Sequence, residues 1–414
     1  MSNREARTKH EGRTRDMRTA RAEAATRPAE IIITRRGAER ARGGHLWIYR
    51  SDVIETSGVQ GGAVARVTDE RGRYVGRAFY SDASEISLRL LTQRDEEIDR
   101  EWWRARLRAS FARRELFTRD ADAYRLVYAE GDALPSLIID RYKDVLVLQT
   151  LSQGTDAIKS LLVELLIEEL SPRAIIERND VRVRKLEGLE MRTSVLYGEA
   201  PTEMSIRQHG VEFMVAPLGG QKTGAFLDQR ENHSAAREYA HGRALDCFTF
   251  NGGFAMSIAQ ACESVVGIDV SAEAVAASRR NAELNGLTNV EFREANVFDA
   301  LREMQEAGQH FDTIILDPPA FAKNRASLQA AARGYKEINL RAIKMLAPNG
   351  VLVTCTCSYH MSESMFLETV AAAASDAHRR LQIVEKRIQA RDHPVLATVP
   401  ETLYLKCLIA RVID

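Results

Sequence analysis

The chain has 414 residues, more than one ordinary hydrophobic core accommodates, so two or three domains are expected. Hydrophobic residues make up 45% of it and charged residues 28%, a balance typical of soluble globular proteins. No run approaches the roughly 18 to 20 apolar residues that a membrane span needs, and we expect no membrane partner. Five cysteines without small-domain spacing indicate free thiols in the reducing cytoplasm, and their spacing predicts no metal site.

Charge is balanced over the whole chain but unevenly distributed along it. Residues 1–120 carry 26 Lys and Arg against 19 Asp and Glu, as expected of a module that meets phosphate backbones. A surplus of this size is also common on solvated surfaces. Residues 1–28 are polar, Arg-rich and without the apolar core of a secretory signal, so we expect a disordered basic tail there.

Short apolar runs and turn signals alternate from residue 30 onward. Strands broken by glycine pairs predict a small β-barrel domain over 29–98. A charged helix over 99–116, then mixed strands and helices, predict a connecting α+β domain over 99–202. Over 203–414 strands alternate with helical patterns, which favours a doubly wound parallel α/β sheet. Its predicted strands are 244–246, 264–269, 290–293, 313–316, 350–354 and 404–410.

The first strands of this sheet end in polar residues suited to a cofactor. The segment 246–254 follows a strand and opens a helix, but it lacks the Gly-x-Gly-x-x-Gly pattern of dinucleotide sites. Asp269 ends the next strand, where a ribose-binding acid is expected, and Asn296 follows the third, where an amide can face an adenine edge. A tight turn at the glycines and helix capping at Asp269 are the structural alternatives. The order of these groups on successive strand ends favours S-adenosylmethionine.

A loop that leads into a helix, over 219–230, adds polar groups for the amino-acid end of this cofactor; a capped helix start with a solvated face is the alternative. The residues predicted to bind the cofactor are Gln221, Lys222, Thr223, Arg230, Asp246, Phe248, Asn251, Gly252, Asp269, Asn296 and Asp317.

Two later strands end in reactive groups. Asp317 follows one strand and precedes two prolines that stiffen the backbone, and Cys357 follows the next strand. Ligands bind at the carboxyl ends of strands in open α/β sheets, so the acid and the thiol are expected to share a pocket. Such a pair suits carbon-5 methylation of a pyrimidine, because thiolate addition to carbon 6 makes carbon 5 nucleophilic while an acid donates to N3. Pro318, Pro319 and Phe321 are expected to contact the base.

Other interpretations of these groups stay open from the residues alone. Cys355 and Cys357 lie two apart, and buried cysteines are commonly small hydrophobes, so Cys357 can equally be inert. His360 either lowers the pKa of the thiol or is simply solvated. Asp-Pro-Pro segments also recur in enzymes that methylate exocyclic nitrogens, which keeps a base-nitrogen methyltransferase as an alternative. No general base for loss of the carbon-5 proton is evident.

The whole pattern resembles the bacterial 23S ribosomal RNA cytosine carbon-5 methyltransferases. These join a PUA domain, a connecting domain and a Rossmann-like class I methyltransferase domain, and the resemblance covers roughly residues 30–414. The motifs that carry it are 44–49, 130–135, 139–142, 221–224, 228–230, 246–254, 317–319, 392–394 and 404–406.

The resemblance implies a role for particular residues. Thr356-Cys357-Ser358 matches the segment that bears the nucleophile, which selects Cys357 over Cys355, and Asp317 matches the acid that contacts the base. A PUA-like domain implies an RNA partner, 23S ribosomal RNA, with the target base unstacked. Candidates for phosphate contact are basic residues near the start of that domain, for which a solvated face is the alternative: Arg35, Arg36, Arg40 and Arg42.

Two positions depart from related enzymes. RNA methyltransferases with two cysteines carry the second thiol directly after the proline of Asp-x-Pro, where this chain has Ala320, so product release must use another group or water. Asn296 stands where similar proteins often carry Asp. A homodimer is a candidate assembly, and an RNA-binding assembly factor without catalysis is a further alternative that the intact cofactor segments disfavour.

Overall fold

The computed structural model describes residues 30–56, 58–219, 225–322 and 324–413. The predicted tail over 1–28 lies outside these residues. Contacts divide the chain into two compact units, each built from several segments. One unit comprises Met1–Arg104, Thr150–Leu162 and Asp180–Met191, and the other Ala105–Gln149, Val163–Asn179 and Arg192–Asp414. The domain boundaries drawn from the sequence stay a prediction.

A six-stranded sheet dominates the first unit. Its strands run in the order β2-β6-β5-β4-β1-β3, and only β1 and β4 are parallel neighbours. The short helix after β1 begins at Thr34, whose side chain accepts a 3.2 Å hydrogen bond from the Gly37 N–H as an N-cap. The elements are β1 (Glu30–Ile33), α1 (Arg35–Arg42), β2 (Trp47–Ile48), β3 (Val53–Glu55), β4 (Val64–Asp69), β5 (Tyr74–Tyr80) and β6 (Leu88–Thr92).

The region predicted as a connecting domain, residues 99–202, contains a five-stranded sheet of order β11-β10-β9-β8-β7. β9 and β10 are parallel and are joined by a helical crossover, while β10 and β11 are antiparallel. The elements are α2 (Arg100–Glu115), β7 (Ala123–Tyr128), β8 (Leu137–Tyr142), β9 (Val145–Thr150), α3 (Gln153–Ala157), α4 (Lys159–Leu170), β10 (Ala174–Arg178), α5 (Val183–Leu186) and β11 (Thr193–Gly198).

An antiparallel hairpin then leads into a seven-stranded sheet of order β16-β15-β14-β17-β18-β20-β19. The five strands from β16 to β18 are parallel, and β20 is antiparallel to both of its neighbours. The elements are β12 (Met204–Gln208), β13 (Val211–Val215), α6 (Arg230–Tyr239), β14 (Arg243–Cys247), α7 (Gly253–Ile258), β15 (Ser264–Asp269), α8 (Ala272–Leu284), β16 (Val290–Glu294), α9 (Val297–Glu306), β17 (Phe311–Leu316), α10 (Leu328–Met345), β18 (Leu346–Thr356), α11 (Glu363–Asp376), β19 (Leu381–Arg387) and β20 (Lys406–Val412).

Both faces of the large sheet are buried. Ile314 and Leu316 of β17 belong to one apolar cluster, while Ile315 between them belongs to the cluster on the opposite face. All three are fully buried, and each such side chain contributes roughly 1.5–3 kcal/mol to the free energy of unfolding. Helices cover both faces of parallel sheets, which explains why these strands are continuous apolar runs in the sequence.

The fold class expected from the sequence is confirmed, with one difference in the large sheet. Two of its strands depart from the parallel arrangement, and β19 was not among the predicted strands. β19 is an edge strand with mostly exposed or half-exposed residues, so it lacks the apolar run that identifies its neighbours. Among the described residues, no helix is long and apolar enough to cross a membrane.

Candidate active site

The acid at the sheet edge lies directly after β17. Its backbone N–H points to the carbonyl of Cys247 at the end of β14, 3.4 Å away, so the loops that follow these two neighbouring strands start side by side. Pro318 is buried and Pro319 is exposed, and both fix φ, which makes the loop stiff. Asp317 is half-buried, and its Oδ1 accepts a 2.8 Å hydrogen bond from Nε2 of Gln229.

Cys357 lies one residue beyond the end of β18. Its side chain is half-buried, and its Sγ is 3.9 Å from the carbonyl oxygen of Pro318. Since Pro318 follows Asp317 directly, the structure brings the acid loop and the thiol together at the carboxyl edge of the sheet.

The neighbouring thiol is in a different environment. Cys355 is fully buried within β18 and stands opposite Cys407 of β20. Burial, followed by the contact with Cys407, raises the pKa of the Cys355 thiol well above its ordinary value. Cys355 is therefore a protonated core residue, whereas the side chain of Cys357 is only partly buried.

Tyr335 of α10 forms hydrogen bonds with the residues on both sides of Cys357. Its hydroxyl accepts a 2.8 Å hydrogen bond from Oγ1 of Thr356 and lies 2.9 Å from Oγ of Ser358. Ser358 also accepts a 3.1 Å hydrogen bond from the N–H of Ala322, in the segment that follows the prolines. All four residues are buried. The residues on both sides of Cys357 are thus held by one network, which fixes the position of the thiol.

Phe321 belongs to an aromatic cluster beside the acid loop. Its ring centroid is 4.6 Å from that of Tyr335, 5.9 Å from that of Phe298 and 6.4 Å from that of Phe248. Phe321 and Phe248 remain half-exposed. The cluster therefore presents apolar surface where the cofactor and reactive halves of the edge meet.

Asp246, at the end of β14, is the most distinctive acid of the cofactor half. It is almost fully buried, and its Oδ2 accepts hydrogen bonds from Oγ1 of Thr249 (2.6 Å) and from the N–H of Ala255 (2.9 Å). Its Oδ1 is buried without a hydrogen-bond partner among the described residues. Burial raises the pKa of Asp246 to about 7. A buried carboxylate oxygen without a donor is costly, so it fits a ligand that brings a donor group to this point.

The loop after Asp246 is wound tightly by its backbone. Phe248, Phe250 and Gly252 all have positive φ, at 64°, 50° and 87°. Left-handed conformations in two phenylalanines are strained and recur at ligand sites. The N–H of Phe250 donates a 2.9 Å hydrogen bond to Oδ2 of Asp269, which ties this loop to the end of β15.

Three further predicted cofactor residues hold local structure. Oδ1 of Asp269 accepts from the N–H of Ser271, the N-cap of α8, so this carboxylate also serves the helix start. Asn296 is exposed and is the N-cap of α9, accepting a 2.9 Å hydrogen bond from the N–H of Phe298. The backbone carbonyl of Asn251 accepts from Asn281 at 3.0 Å. The loop after β14 thus contains Asn251 and contacts both Asp246 and Asp269. Asn296 follows β16, at the same edge of the sheet.

Arg230 has a different set of contacts from the strand-end acids. It is almost fully buried, lies 3.6 Å from both Asp392 and Glu231, and approaches Nε2 of His209 at 3.4 Å. The described contacts of Arg230 do not join it to Asp246 or Asp269. Gln221, Lys222 and Thr223 lie outside the described residues, and their predicted role stays a prediction.

The basic residues predicted to meet phosphates lie in the first unit and are already paired with acids. Arg35 forms a 2.7 Å ion pair with Glu39, and Arg36 a 2.8 Å pair with the buried Asp52. Their side chains nevertheless remain 67% and 72% exposed, so both cations are accessible to a phosphate group. Arg40 also pairs with Asp52.

Lys406, at the start of β20, was not among the predicted site residues. It stands opposite Thr356 in register, is buried, and its Nζ donates to the carbonyls of Tyr404 (3.1 Å) and Ser358 (3.5 Å). Burial lowers its pKa, and the nearby Cys357 opposes that change. Lys406 also lines a cavity of about 460 Å³ whose wall includes Arg325, Tyr359 and His360.

Gln229 and Tyr335 were likewise not predicted as site residues. Gln229 and Lys406 lie in segments that carry the family resemblance, which is the one signal that pointed to them. Nothing in the sequence distinguishes Tyr335 from other aromatic residues on a helix. Among the described residues, no three His, Cys, Asp or Glu side chains are grouped as a metal site.

Comparison with known proteins agrees with this geometry. The model of a PUA-like domain matches residues 31–93, and the model of an S-adenosylmethionine-dependent methyltransferase matches residues 182–411. The fold is similar to that of SMU.776, whose crystal structure is a complex with SAH, with a TM-score of 0.80 at 19% identity over 93% of this chain and 100% of the other. The fold and the matched region define an S-adenosylmethionine-dependent methyltransferase.

Curated relatives place the chain more narrowly. It is 43% identical over 379 residues to the Ribosomal RNA large subunit methyltransferase I of Tolumonas auensis, covering 89% of this chain and 96% of the relative. It is 42% identical over 377 residues to the protein of the same name from Shewanella amazonensis, covering 89% and 95%. The chain therefore belongs to the family of large-subunit ribosomal RNA methyltransferases I.

Proposed function

We propose that this methyltransferase forms 5-methylcytosine in large-subunit ribosomal RNA through a covalent adduct between Cys357 and carbon 6 of the base. The observation that carries the proposal is the position of the Cys357 thiol, 3.9 Å from the carbonyl that follows Asp317. An accessible thiol beside a carboxyl group suits a reaction that needs a sulfur nucleophile and an acid at one ring. The names of the relatives supply the substrate class, which is large-subunit ribosomal RNA.

Two residues on the reactive side account for the bonds that change at carbon 6 and at N3 of the base. The Cys357 thiolate forms a bond to carbon 6, the π pair moves toward carbon 5, and Asp317 in its acid form gives a proton to N3. Once carbon 5 carries the methyl group, its proton leaves, the double bond re-forms and the bond from sulfur to carbon 6 breaks. The N3 proton returns to Asp317. Ala320 offers no second thiol, so water in the pocket is the natural acceptor of the carbon-5 proton.

The ammonium group of Lys406 lies close to Cys357. Its buried ammonium donates to the carbonyl of Ser358, the residue after Cys357. A cation close to a cysteine favours the thiolate over the thiol, and the thiolate is the form that attacks. Lys406 thereby supports the nucleophile without contacting the base.

The cofactor half fits S-adenosylmethionine. The unpartnered Oδ1 of Asp246, together with Asp269 and Asn296 on the next two strand ends, would hold it. When bound, it supplies an electrophilic methyl group. The aromatic surface of Phe248 and Phe321 excludes water from the space between the two halves.

RNA contact by the first unit is the remaining part of the proposal. Arg35 and Arg36 are exposed on α1 of the region that matches a PUA-like domain, and their guanidinium groups suit phosphate oxygens. Near Cys357, the cavity lined by Arg325, Tyr359 and Lys406 offers cations and an aromatic face to a nucleotide of the same RNA.

Trapping on RNA that contains 5-fluorocytosine tests the mechanism, because fluorine at carbon 5 cannot leave as a proton and the adduct persists. We expect the wild-type protein to form an adduct that survives denaturation, and Cys357→Ala to form none and to lose methylation. Cys355→Ala is the matched control, since it removes a thiol two residues away that is fully buried. Methylation that survives Cys357→Ala would exclude the proposal.

Methylation of a base nitrogen is the second candidate, favoured by the Asp317-Pro318-Pro319 loop alone. An acid and a stiff peptide carbonyl suffice to hold an exocyclic amino group without any thiol. Mass spectrometry of the nucleoside product separates the two reactions, since methyl groups on carbon 5 and on a nitrogen give different nucleosides.

A further inference from the structure

A chain of four side chains connects the edge strand β19 with the reactive acid. Nε of Arg387 donates to Oδ1 of Asn232 at 2.8 Å, and Nδ2 of Asn232 donates to Oε1 of Gln229 at 2.7 Å. Nε2 of Gln229 then donates to Oδ1 of Asp317 at 2.8 Å. Asn232 is fully buried and Gln229 is 3% exposed, so water does not compete for the bond between these two amides.

The direction of every bond in this chain is fixed from its far end. A guanidinium group can only donate and a backbone carbonyl can only accept. Asn232 faces both, since its Nδ2 also donates to the carbonyl of Ile388 at 3.2 Å. Its amide therefore has one orientation, which presents an N–H to Gln229. Gln229 must accept that N–H through its oxygen and so must offer its own N–H to Asp317.

If the amide of Gln229 were turned over, its oxygen would face the Asp317 carboxyl oxygen and its N–H would face the N–H of Asn232. If the amide of Asn232 were turned over, its N–H would face the Arg387 guanidinium group and its oxygen would face the Ile388 carbonyl. Such a mismatch between buried groups costs far more than a lost bond at a surface. Arg387, two side chains away, therefore imposes the same orientation on Gln229 whether Asp317 is protonated or ionised.

We propose that Gln229, held by Asn232 and Arg387, is a positioning residue that decides which oxygen of Asp317 carries the proton given to the base. Oδ1 receives an N–H, and a hydroxyl oxygen is a poorer acceptor than a carbonyl oxygen, so the acidic proton is favoured on Oδ2. Gln229 acts on the base through Asp317. This inference rests on the proposed role of Asp317 in cytosine carbon-5 methylation.

The variant Gln229→Glu tests the inference through the pH dependence of the reaction. The new side chain has the same shape, and at low pH its protonated form can still donate to Oδ1 of Asp317. As pH rises, two adjacent carboxylates repel and share a proton, so the geometry fails. We expect kcat/KM of the variant to fall relative to that of wild type as pH rises, to about 100-fold below wild type at high pH.

Gln389→Glu is the matched control. Gln389 is equally buried, and its amide donates to the Thr402 carbonyl at 2.7 Å, away from Asp317. This variant should keep the wild-type direction of the pH profile whatever its effect on stability. The same profile in Gln229→Glu, at a rate near that of wild type, would overturn the inference.

Asn232→Asp keeps the inference testable if Gln229→Glu does not fold. It removes the N–H that Gln229 accepts while keeping the acceptor for Arg387, so the Gln229 amide turns and presents its oxygen to Asp317. We expect kcat to fall about 10- to 100-fold with little change in KM for RNA. Unchanged kcat would contradict the proposed role of Gln229 in positioning Asp317.

Two further readouts separate this inference from the function on which it rests. If the wild-type protein forms no adduct on 5-fluorocytosine RNA, the proposed function fails. If the wild type forms the adduct but kcat/KM of Gln229→Glu keeps the wild-type pH dependence, only the proposed role of Gln229 fails. Calorimetry of S-adenosylmethionine binding should give similar affinities for wild type and Gln229→Glu, and a large loss of affinity in the variant would place Gln229 in the cofactor site instead.

Discussion

The carboxyl edge of the large sheet has two halves that hold their polar groups by different means. In the cofactor half, after β14, β15 and β16, the backbone does the holding: Phe248, Phe250 and Gly252 take positive φ, and Asp246 and Asp269 accept backbone N–H groups. In the reactive half, after β17 and β18, buried side chains hold one another, with Gln229 on Asp317 and Tyr335 on Ser358.

The proposed function gives a reason for this difference. In that function a cofactor is bound through many contacts, which a shaped backbone supplies, whereas a proton and a thiolate are each placed at one atom of the base. Isosteric substitutions should therefore act mainly on affinity in the cofactor half and mainly on rate in the reactive half.

The largest expected effect comes from Asp317→Asn. The variant removes the acid but keeps the shape of the side chain, so we expect kcat to fall about 100- to 1,000-fold. Isothermal titration should show S-adenosylmethionine affinity within about threefold of wild type. A much larger loss of affinity would show that Asp317 belongs to both halves, as its place among the predicted cofactor residues allows.

Asp246→Asn should give the opposite result. We expect the Kd for S-adenosylmethionine to rise about 10- to 100-fold, because one amide replaces a carboxylate whose free oxygen awaits a donor, while kcat at saturation changes little. Reduced kcat with unchanged Kd would contradict the division between the halves.

The pH dependence of stability gives a second check on Asp246. Its pKa is raised to about 7 by burial, above the ordinary value of 3.8, so the folded protein holds a proton that the unfolded chain releases between these values. The free energy of unfolding without cofactor should therefore fall by up to about 1.4 kcal/mol per pH unit from pH 4 to 7 on account of this group. Urea titrations of Asp246→Asn should lack that contribution.

Tyr335→Phe probes the side-chain network of the reactive half. The ring stays, but the buried hydroxyls of Thr356 and Ser358 lose a shared partner, so we expect a loss of about 1–3 kcal/mol in the free energy of unfolding. Because these residues flank Cys357, the rate of adduct formation should fall as well. Phe366→Leu, at a ring that packs 5.8 Å from Tyr335, is a control for core packing without hydrogen bonds.

The smallest effect is expected for Asn296→Ala. Loss of an exposed N-cap costs about 1 kcal/mol of stability. Asn296→Asp keeps both the cap and an oxygen that can accept from the adenine amino group, so it is the control. If Asn296 faces the adenine, Asn296→Ala should weaken S-adenosylmethionine binding and Asn296→Asp should not, and if it only caps α9, neither variant should.

The strand ends of the cofactor and reactive halves follow from the sequence because buried parallel strands are continuous apolar runs. β15 was predicted with its observed bounds, and the core of β17 was predicted within two residues of its start. The thiol and the acid could be placed at one edge for the same reason, since each directly follows such a run.

The contacts that hold those groups could not be predicted in this way. Asn232 and Arg387 are 155 positions apart, and no local pattern joins an amide on one helix to a guanidinium on an edge strand. The reversal of β20 was also not evident, because an antiparallel strand buried on both faces has the same apolar pattern as a parallel one. The family resemblance marked Gln229 and Lys406 as members of motifs but gave no contact for either.

The placement of β20 has a consequence for how the protein matures. This strand comes after β19 in the chain yet lies between β18 and β19 in the sheet, and it carries Lys406 to the thiol. Until it has been synthesised and inserted, β18 has an open edge at Cys355 and the thiol lacks its neighbouring cation.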